Sequence, residues 1–367
     1  MLRVLTVAGT RPEVVKLAPV LARLRREPGV RASLCVTAQH RRLLDDTLRV
    51  FGLKPAADLD LMRPRQTPAQ VLRRTLRGMA RVLSRRRPDL VLVQGDTTTA
   101  LGAALAAFRL GIPVAHVEAG LRTGDLSCPF PEEANRVLID RGSALLFAPT
   151  PGARRNLLRE GAPARSVTVT GNTAVDALRW AASRPHHFRA PALRGLGPAP
   201  LAVVTLHRRE SWGRPMAGIF RAILDAARLL PDLLWIYPVH PNPAVRGPAR
   251  RILRHPRIRL VPPMDYVDFV HLMARARLIV TDSGGIQEEA PSLGVPVVVA
   301  RKKTERPEAL GRGSTLAGVS RPALTRAILR CARRPAAAPK AGNPFGDGRA
   351  SERIARALLR WARSRKR

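Results

Sequence analysis

The fold of this chain is decided by residues 90–120, LVLVQGDTTTALGAALAAFRLGIPVAHVEAG. The apolar run at 90–94 has the composition of a buried strand, and apolar residues then recur at helical spacing over roughly 98–109. Gly111 is a stop signal for that helix, and the pattern predicts a second strand at 113–117. A strand, a helix and a second strand in this order form the repeating unit of a parallel sheet.

The same order of elements is predicted in two other places. Residues 3–24, RVLTVAGTRPEVVKLAPVLARL, predict a buried strand, a Gly9-Thr10 turn and a helix that starts near Pro12. Residues 278–300, LIVTDSGGIQEEAPSLGVPVVVA, predict a strand, a glycine turn, a helix from about Ile286 and another strand. Because 90–120 and 278–300 lie in different halves of the chain, we predict an α/β fold with two similar doubly wound, Rossmann-like domains.

Composition locates the boundaries of these domains. Residues 182–200, ASRPHHFRAPALRGLGPAP, have the composition of a linker. A second stretch without apolar periodicity precedes a last helix predicted at 350–364. The predicted division is therefore a domain over 1–181, a linker over 182–200, a second domain over 201–345 and a terminal segment over 346–367. Ligands of such sheets bind at the carboxyl ends of the strands, so we expect the two domains to face each other across a ligand cleft.

The chain is strongly basic. It has 64 Lys and Arg against 27 Asp and Glu, a net charge of +37 in 367 residues, which by itself would suggest a nucleic-acid or membrane-surface partner. Arginine is spread along the whole sequence, however, and aromatic residues make up only 4%, so no basic-aromatic stacking platform is formed. We interpret the Arg-, Ala- and Pro-rich composition as that of a bacterial genome of high GC content and expect no nucleic-acid partner.

Cysteine content and hydropathy indicate the cellular compartment of the protein. Cys35, Cys128 and Cys331 are odd in number and lack a metal-like spacing, so neither a disulfide framework nor a zinc site is predicted. The apolar run at the N-terminus is too short for a signal peptide. Nor does any stretch approach the roughly 18 apolar residues of a membrane span. We expect a cytoplasmic protein.

Polar residues that follow predicted strands are the first site candidates: Gly9-Thr10-Arg11, Asp96, Glu118, His207 and Asp282-Ser283-Gly284-Gly285. A glycine turn before a helix can bind phosphate through its N–H groups, although SGG also occurs in plain turns. Neither G-x-G-x-x-G nor a P-loop is present. Glu288 and Glu289 either complement the helix dipole at an exposed first turn or offer a carboxylate to a ribose.

A second group of candidates lies in residues 116–136, HVEAGLRTGDLSCPFPEEANR. Glu118 follows a strand, and Glu132 and Glu133 start a helix after Pro131. These carboxylates are suited to proton transfer, or alternatively to helix capping and pairing with Arg122 or Arg136.

Two further candidates have a structural alternative as well. Asp96 can be the N-cap of the helix that follows it, and His207 can be a structural residue at a strand end. No nucleophilic triad and no metal-ligand set accompany these residues. Together they suit proton transfer on a substrate whose leaving group is a nucleoside diphosphate.

Ordered blocks along essentially the whole chain resemble the bacterial non-hydrolysing UDP-N-acetylglucosamine 2-epimerases: GTRPEVVKLAPV, QGDTTTALGAALAAF, PVAHVEAGLRTGD, PFPEEANR, TDSGGIQEEAPSLGVPVVV and TERPEA. The resemblance implies a GT-B fold whose C-terminal helix returns to the N-terminal domain, and a homodimer. It also implies interconversion of UDP-GlcNAc and UDP-ManNAc through elimination of UDP to 2-acetamidoglucal and re-addition, with neither metal nor NAD.

The same resemblance implies roles for particular residues. The catalytic positions are Asp96, Glu118, Glu132 and His207. The residues that bind UDP or the sugar are Arg11, Lys16, Arg136, Ser283, Gly284, Gly285 and Glu289, whereas Glu288 is interpreted as structural. A second UDP-GlcNAc is expected as an allosteric activator at Gln39, His40, Arg65 and Gln66, which favours the non-hydrolysing class.

This chain departs from the family pattern at Arg42, Leu206 and Lys302-Lys303. The exact sugar is therefore the least constrained part of the prediction. Two alternatives share the fold. One is a hydrolysing epimerase that releases ManNAc and UDP, and the other is a GT-B glycosyltransferase, which would need an acceptor site.

Overall fold

The computed structural model describes residues 1–38, 41–63, 66–333 and 342–365. They form two compact units, an N-terminal unit of Met1–Ala177 with Phe345–Arg367 and a C-terminal unit of Leu178–Pro344. Each unit contains one parallel sheet flanked by helices, which confirms the predicted α/β fold class.

The N-terminal unit contains a seven-stranded sheet in the order β3-β2-β1-β4-β5-β6-β7. All neighbouring strands are parallel. Strand β4 is buried along its whole length, as expected for a parallel strand covered on both faces. The strands are β1 Leu2–Ala8, β2 Val30–Val36, β3 Ala57–Asp58, β4 Leu90–Gln94, β5 Val114–Val117, β6 Leu145–Ala148 and β7 Val167–Val169.

Helices flank this sheet. Helix α4 has the predicted bounds, but its N-cap is Thr97, whose hydroxyl accepts a hydrogen bond from the Ala100 amide at 3.0 Å. The alternative interpretation of Asp96 as the N-cap is therefore wrong. The helices are α1 Arg11–Arg25, α2 Arg41–Val50, α3 Pro68–Arg86, α4 Thr98–Arg109, α5 Glu132–Gly142, α6 Pro151–Arg159 and α7 Thr173–Ala182.

The last helix, α13 (Ala350–Ser364), packs on α1 in the N-terminal unit. Its buried residues Ile354, Ala355 and Leu358 join the same apolar core as Leu17 and Leu21. The predicted return of the C-terminal helix to the N-terminal domain is thus confirmed.

The C-terminal unit contains six parallel strands in the order β10-β9-β8-β11-β12-β13. They are β8 Leu201–Thr205, β9 Leu234–Pro238, β10 Ile258–Val261, β11 Ala276–Thr281, β12 Val297–Val299 and β13 Ser314–Leu316. The helices are α8 Arg214–Leu229, α9 Pro243–Ile252, α10 Tyr266–Ala274, α11 Gly284–Glu289 and α12 Arg321–Ala332. Helix α11 starts at Gly284, two residues before the predicted start at Ile286. Short 3₁₀ segments lie at Ala164–Ser166, Pro191–Leu193, Arg209–Ser211, Ala290–Leu293 and Pro307–Ala309.

Residues 182–200 are anchored in the C-terminal unit through one buried carboxylate on α10. Asp268 accepts hydrogen bonds from the amides of Arg189 and Ala190 at 3.0 and 2.7 Å. It also lies 2.5 Å from the Nε2 atom of His186, a residue whose sequence context is that of a linker. The stretch therefore has fixed contacts despite its linker composition.

Both sheets have the strand order of a doubly wound nucleotide-binding fold. The order reverses between β1 and β4 in one unit and between β8 and β11 in the other. The register pairs Thr6 with Leu92 and Thr205 with Thr281, so the loops after these strands lie side by side. Ligands of such folds bind at these two reversal points.

Two expectations from composition can be compared with the structure. Cys35, Cys128 and Cys331 are not joined in disulfides within the described residues. Among the described helices, none combines the length and the apolar composition that crossing a membrane requires.

Candidate functional site

Glu118 is the most constrained of the predicted catalytic residues. It follows β5 directly, and its side chain is buried within the N-terminal unit, where it accepts hydrogen bonds from the Lys16 ammonium at 2.6 Å and from the Gln94 amide. Its backbone has φ of 71°, a left-handed conformation that costs energy in any residue other than glycine. Strain of this kind is typical of functional sites, where the surrounding structure holds one side chain in place.

Asp96 lies in the neighbouring loop, after β4. Its carboxylate pairs with the Arg136 guanidinium, and Arg136 also donates to Glu133 at 2.8 Å. The Asp96 side chain is 31% exposed, whereas those of Arg136 and Glu133 are almost fully buried. A buried arginine therefore holds a partly open carboxylate at the reversal point of the sheet.

Glu132 and Glu133 start α5 as predicted, but they have different environments. Glu133 is buried and accepts hydrogen bonds from the Thr123 and Gly124 amides at 2.8 and 3.1 Å, so it organises the preceding loop. Glu132 is half-buried, and within the described residues it has neither a hydrogen bond nor an ion pair. Of the two, Glu132 is therefore the one that remains available to a ligand.

Glu13 is a buried residue beside the site that sequence reasoning missed. Its carboxylate accepts from the amides of Gly9 and Thr10 at 3.0 and 2.6 Å and from the Thr97 hydroxyl at 2.8 Å. Burial raises the pKa of Glu13, although these hydrogen bonds favour the carboxylate. The residue links the loops after β1 and β4, next to the half-buried Arg11. A Glu three residues after Thr10 is a capping-box signal that could have identified it.

In the C-terminal unit, Asp282 fixes the position of His207. Its fully buried carboxylate accepts hydrogen bonds from the His207 amide at 3.0 and 3.1 Å and from the Arg208 amide at 2.9 Å. The Nδ1 atom of His207 lies 3.5 Å from the same carboxylate, and 41% of its side chain is exposed. The ring stacks on His240 with a centroid separation of 5.9 Å.

Desolvation by the surrounding protein lowers the pKa of His207, and the charges of Arg208 and Arg301 lower it further against the opposing effect of Asp282. A histidine with a lowered pKa is neutral at pH 7, and a neutral ring can either donate or accept a proton in a hydrogen bond.

Gly284 and Gly285 serve different purposes in the predicted phosphate turn. A Cβ atom on Gly284 would lie 2.3 Å from Nη1 and 2.5 Å from Cζ of Arg306, so the buried guanidinium requires a glycine there. A Cβ on Gly285 would meet only the Ser283 hydroxyl, at 3.9 Å. Only the space beside Gly285 is thus open for the close approach of a ligand.

Glu288 and Glu289 are both buried, so the interpretation of the pair as exposed first-turn residues is wrong. Glu288 accepts a hydrogen bond from Nε of Arg306 at 2.6 Å, and its backbone carbonyl accepts from Asn343 at 2.7 Å. These contacts are those of a structural residue. Glu289 accepts a hydrogen bond from the Tyr266 hydroxyl at 3.2 Å.

A buried charge network connects the His207 loop to this turn, and the sequence did not reveal it. Glu305 accepts from Arg301 at 2.7 Å, from Arg208 at 3.4 Å and from Arg306. Burial would raise the pKa of Glu305, but the three guanidinium groups outweigh it and hold the pKa far below the usual range. Lys302 and Lys303, the departures from the family pattern, are exposed beside this network.

Three of the predicted activator residues, Gln39, His40 and Arg65, lie outside the described residues. The fourth, Gln66, is half-buried and closes its own loop by accepting from the Arg63 amide at 2.8 Å and donating to the Leu61 carbonyl at 3.0 Å. Within the described ranges, His, Cys, Asp and Glu side chains form no group that could hold a metal ion.

Two doubly wound units, each with charged side chains gathered where its strand order reverses, define the GT-B class of α/β proteins. The profile of the UDP-N-acetylglucosamine 2-epimerase family matches residues 22–359. The UDP-N-acetylglucosamine 2-epimerase of Yersinia pestis is 47% identical over 371 residues, covering 97% of this chain and 98% of the relative. That of Escherichia coli K12 is 46% identical over 371 residues, with coverage of 97% and 98%.

Structural similarity agrees with these matches. The crystal structure of UDP-GlcNAc 2-epimerase from Neisseria meningitidis bound to UDP-GlcNAc superimposes with a TM-score of 0.93 at 39% identity, covering 98% of this chain and all of that one. This chain belongs to the UDP-N-acetylglucosamine 2-epimerase family.

Proposed function

We propose that this protein is a non-hydrolysing UDP-GlcNAc 2-epimerase that interconverts UDP-GlcNAc and UDP-ManNAc. The observation that carries the proposal is the arrangement of Asp96 and Glu118, two carboxylates on the neighbouring loops after β4 and β5, each held by a buried cation. The full-length match to epimerases, one of them bound to UDP-GlcNAc, supports the substrate.

The chemistry explains why several carboxylates are needed. The hydrogen on C2 has no adjacent carbonyl, so deprotonation alone is too costly. In our mechanism a carboxylate removes the proton from C2 while the C1–O bond breaks. The electron pair of the C1–O bond leaves with UDP. The product, 2-acetamidoglucal, has a C1=C2 double bond. A proton then adds to C2 from the opposite face and UDP re-adds at C1, so the two steps require acid–base groups on two faces.

We assign the proton transfers at C2 to Asp96 together with Glu118 or Glu132. Lys16 and Arg136 compensate the charge of the carboxylates they contact, at Glu118 and Asp96 respectively. We propose that these two cations hold the acid–base groups in addition to their expected role as ligands of the substrate.

We assign the binding of the leaving group, UDP, to Arg11 and to residues of the C-terminal unit. Ser283 and Gly285 receive the diphosphate, Glu289 receives the ribose, and Gly284 accommodates Arg306 beside them. His207, neutral at pH 7 and partly exposed, assists at the diphosphate. Charge-assisted hydrogen bonds of this kind stabilise a phosphate leaving group and retain it for re-addition.

The proposal includes no metal and no NAD, because elimination and re-addition need only acid–base groups and a retained UDP. It also includes a homodimer and activation by a second UDP-GlcNAc. The dimer is supported by apolar side chains that the packed helices α4 and α5 leave exposed, Phe108 at 66% and Leu138 at 53%. Light scattering coupled to size exclusion would give twice the 40.1 kDa chain mass, and a monomer at all concentrations would contradict the dimer.

Product analysis tests the reaction type. Incubation with UDP-GlcNAc should give a stable mixture of UDP-GlcNAc and UDP-ManNAc, and adding more UDP-GlcNAc should raise the turnover per active site if the activator binds. Stoichiometric free ManNAc and UDP would instead identify the hydrolysing reaction. Turnover only with an added sugar acceptor would identify a glycosyltransferase.

A further inference from the structure

His116 is the last but one residue of β5 and has no solvent exposure. Its Nδ1 atom lies 2.6 Å from a carboxylate oxygen of Asp140 on α5, and its Nε2 atom lies 2.8 Å from the carbonyl oxygen of Gly95. Both partners are acceptors, so each ring nitrogen faces an oxygen atom. The ring thus connects α5 to the residue that directly precedes Asp96.

The Asp140 carboxylate is held from two sides, by His116 and by Arg122. Burial disfavours its charge, but His116 and Arg122 outweigh that effect and hold the pKa of Asp140 below its usual range. The Arg122 guanidinium lies 2.8 Å from the second oxygen of Asp140 and is itself paired with Glu160 at 2.7 Å. Because each buried charge in this cluster has a counter-charge, the His116–Asp140 contact is well defined.

Asp140 also fixes the second catalytic loop. Its Oδ2 atom accepts a hydrogen bond from the Gly120 amide at 3.1 Å, two residues after Glu118. A Cβ atom on Gly120 would lie 2.3 Å from the Ala153 carbonyl, so this loop is tightly packed against α6. Glu118, in its left-handed conformation, therefore lies between two residues that contact Asp140, His116 before it and Gly120 after it.

Both backbone polar groups of Gly95 form hydrogen bonds with residues of β5. Its amide donates to the Val117 carbonyl at 3.0 Å, while its carbonyl accepts from His116. If the ring contact were lost, the Gly95 carbonyl would lose its partner, and the Gly95–Asp96 peptide could rotate even though Asn135 still donates to the Asp96 carbonyl at 2.8 Å. A displacement of a catalytic group by about 1 Å can reduce a rate about 100-fold.

We infer that His116 and Asp140 are positioning residues that together fix the two loops carrying Asp96 and Glu118. The inference rests on the proposed function for the roles of those two carboxylates. Neither His116 nor Asp140 needs to touch the substrate, since one imidazole–carboxylate pair sets the backbone on both sides of the acid–base site.

Two substitutions of His116 separate its two contacts. In His116→Asn the amide nitrogen replaces Nδ1 and keeps the Asp140 contact but loses Gly95, whereas in His116→Gln it replaces Nε2 and keeps Gly95. We expect His116→Asn to lower kcat on the order of 30-fold with KM nearly unchanged, and His116→Gln to recover most of kcat. Met79→Ala, a change at a fully buried position on α3, serves as the control for simple destabilisation.

Amide hydrogen exchange supplies a readout that needs no activity. His116→Asn, which loses the Gly95 contact, should accelerate exchange at Gly95, and His116→Gln, which loses the Asp140 contact, should accelerate it at residues 118–120. Met79→Ala, matched for loss of Tm, should leave these amides and kcat unchanged. Any of three results would overturn the inference. They are unaltered exchange in both loops, a kcat within about threefold of wild type for His116→Asn, and an equal fall in kcat for Met79→Ala. A wild-type chain that does not epimerise would instead refute the proposed function and leave the exchange result to decide the positioning role.

Discussion

Single side chains at the loops after β4 and β5 determine what the N-terminal unit can do. Glu118 is held in a left-handed conformation against Lys16, and Asp96 is held by Arg136. Asp96 lies at the reversal point of the sheet and Glu118 on the neighbouring loop after β5, and in both pairs the cationic partner is buried. This arrangement presents two carboxylates without leaving an uncompensated charge in the interior.

Replacing either carboxylate with its amide should stop the reaction but not the binding of UDP. We expect Asp96→Asn and Glu118→Gln each to reduce kcat at least about 100-fold, because a general acid–base group contributes about that much or more. Calorimetric titration with UDP should give a Kd within a few-fold of wild type. Asp89→Asn, which removes a carboxylate paired with Arg3 before β4, is the matched control and should retain full activity.

The two glycines of the turn after β11 should respond in opposite ways. Gly284→Ala drives a methyl group into Arg306 and disturbs a buried ion pair, so it should lower the free energy of unfolding by about 3 kcal/mol. Gly285→Ala meets almost no neighbour and should leave stability unchanged or raise it by about 0.5 kcal/mol, while weakening UDP binding.

Chemical denaturation and UDP titration of both variants check this. Equal stability losses would show that Arg306 does not pack on Gly284. Unchanged UDP affinity in Gly285→Ala would remove this glycine from the phosphate site.

Sequence identified the residues that follow strands but not the partners that hold them. Asp96, Glu118 and His207 could be located because a strand end is a local signal. The contacts between Glu118 and Lys16, or between Glu305 and Arg208, join residues about a hundred positions apart. No local pattern encodes such a pairing, so the charge networks became visible only in the folded chain.

At the level of helices and strands, strong periodicity was sufficient. Helix α4 and helix α13 have the predicted bounds, because both carry regular apolar spacing over more than ten residues. Helix α11 has only six residues and starts on two glycines, the weakest helix formers after proline. Its first turn is stabilised by the packing of Arg306, a tertiary contact, and the prediction therefore placed its start too late.

Helix α13 is capped by a residue of another helix. Asp176 on α7 accepts hydrogen bonds from the Ala350 and Ser351 amides at 3.1 and 2.8 Å and from the Ser351 hydroxyl at 2.6 Å. Asp176→Ala should therefore lower the free energy of unfolding by about 2 kcal/mol, whereas Ser351→Ala, which keeps the amide contacts, should cost about 1 kcal/mol or less. Urea unfolding compares the two, and equal losses would contradict the capping role.

The network around Glu305 should make stability depend on pH with a defined sign. The three arginines hold the folded-state pKa of Glu305 below its unfolded value, so its contribution is complete at neutral pH and is lost as pH falls below about 4.5. Glu305→Gln should cost about 3 kcal/mol at pH 7 because it leaves buried arginines uncompensated. Unfolding measured from pH 7 down to pH 3 should show this difference shrinking, and a difference that grew on acidification would contradict the assignment.

Over the whole molecule, the net charge of +37 is far larger than the site requires. A positive field of this size attracts anions from a distance and is screened within about 10 Å at 0.1 M salt. We expect kcat/KM for the anionic UDP-sugar to fall several-fold between about 20 mM and about 300 mM NaCl while kcat changes little. A constant kcat/KM over that range would show that the excess arginine does not steer the substrate.

The most direct test of the proposed chemistry is NMR of UDP-GlcNAc incubated with the wild-type protein in D₂O. Because the C2 proton leaves and a solvent proton returns, UDP-ManNAc should carry deuterium at C2, and UDP-GlcNAc recovered at equilibrium should carry it too. UDP-ManNAc formed with its original C2 hydrogen would contradict proton exchange at Asp96 and the glutamates, and with it the mechanism.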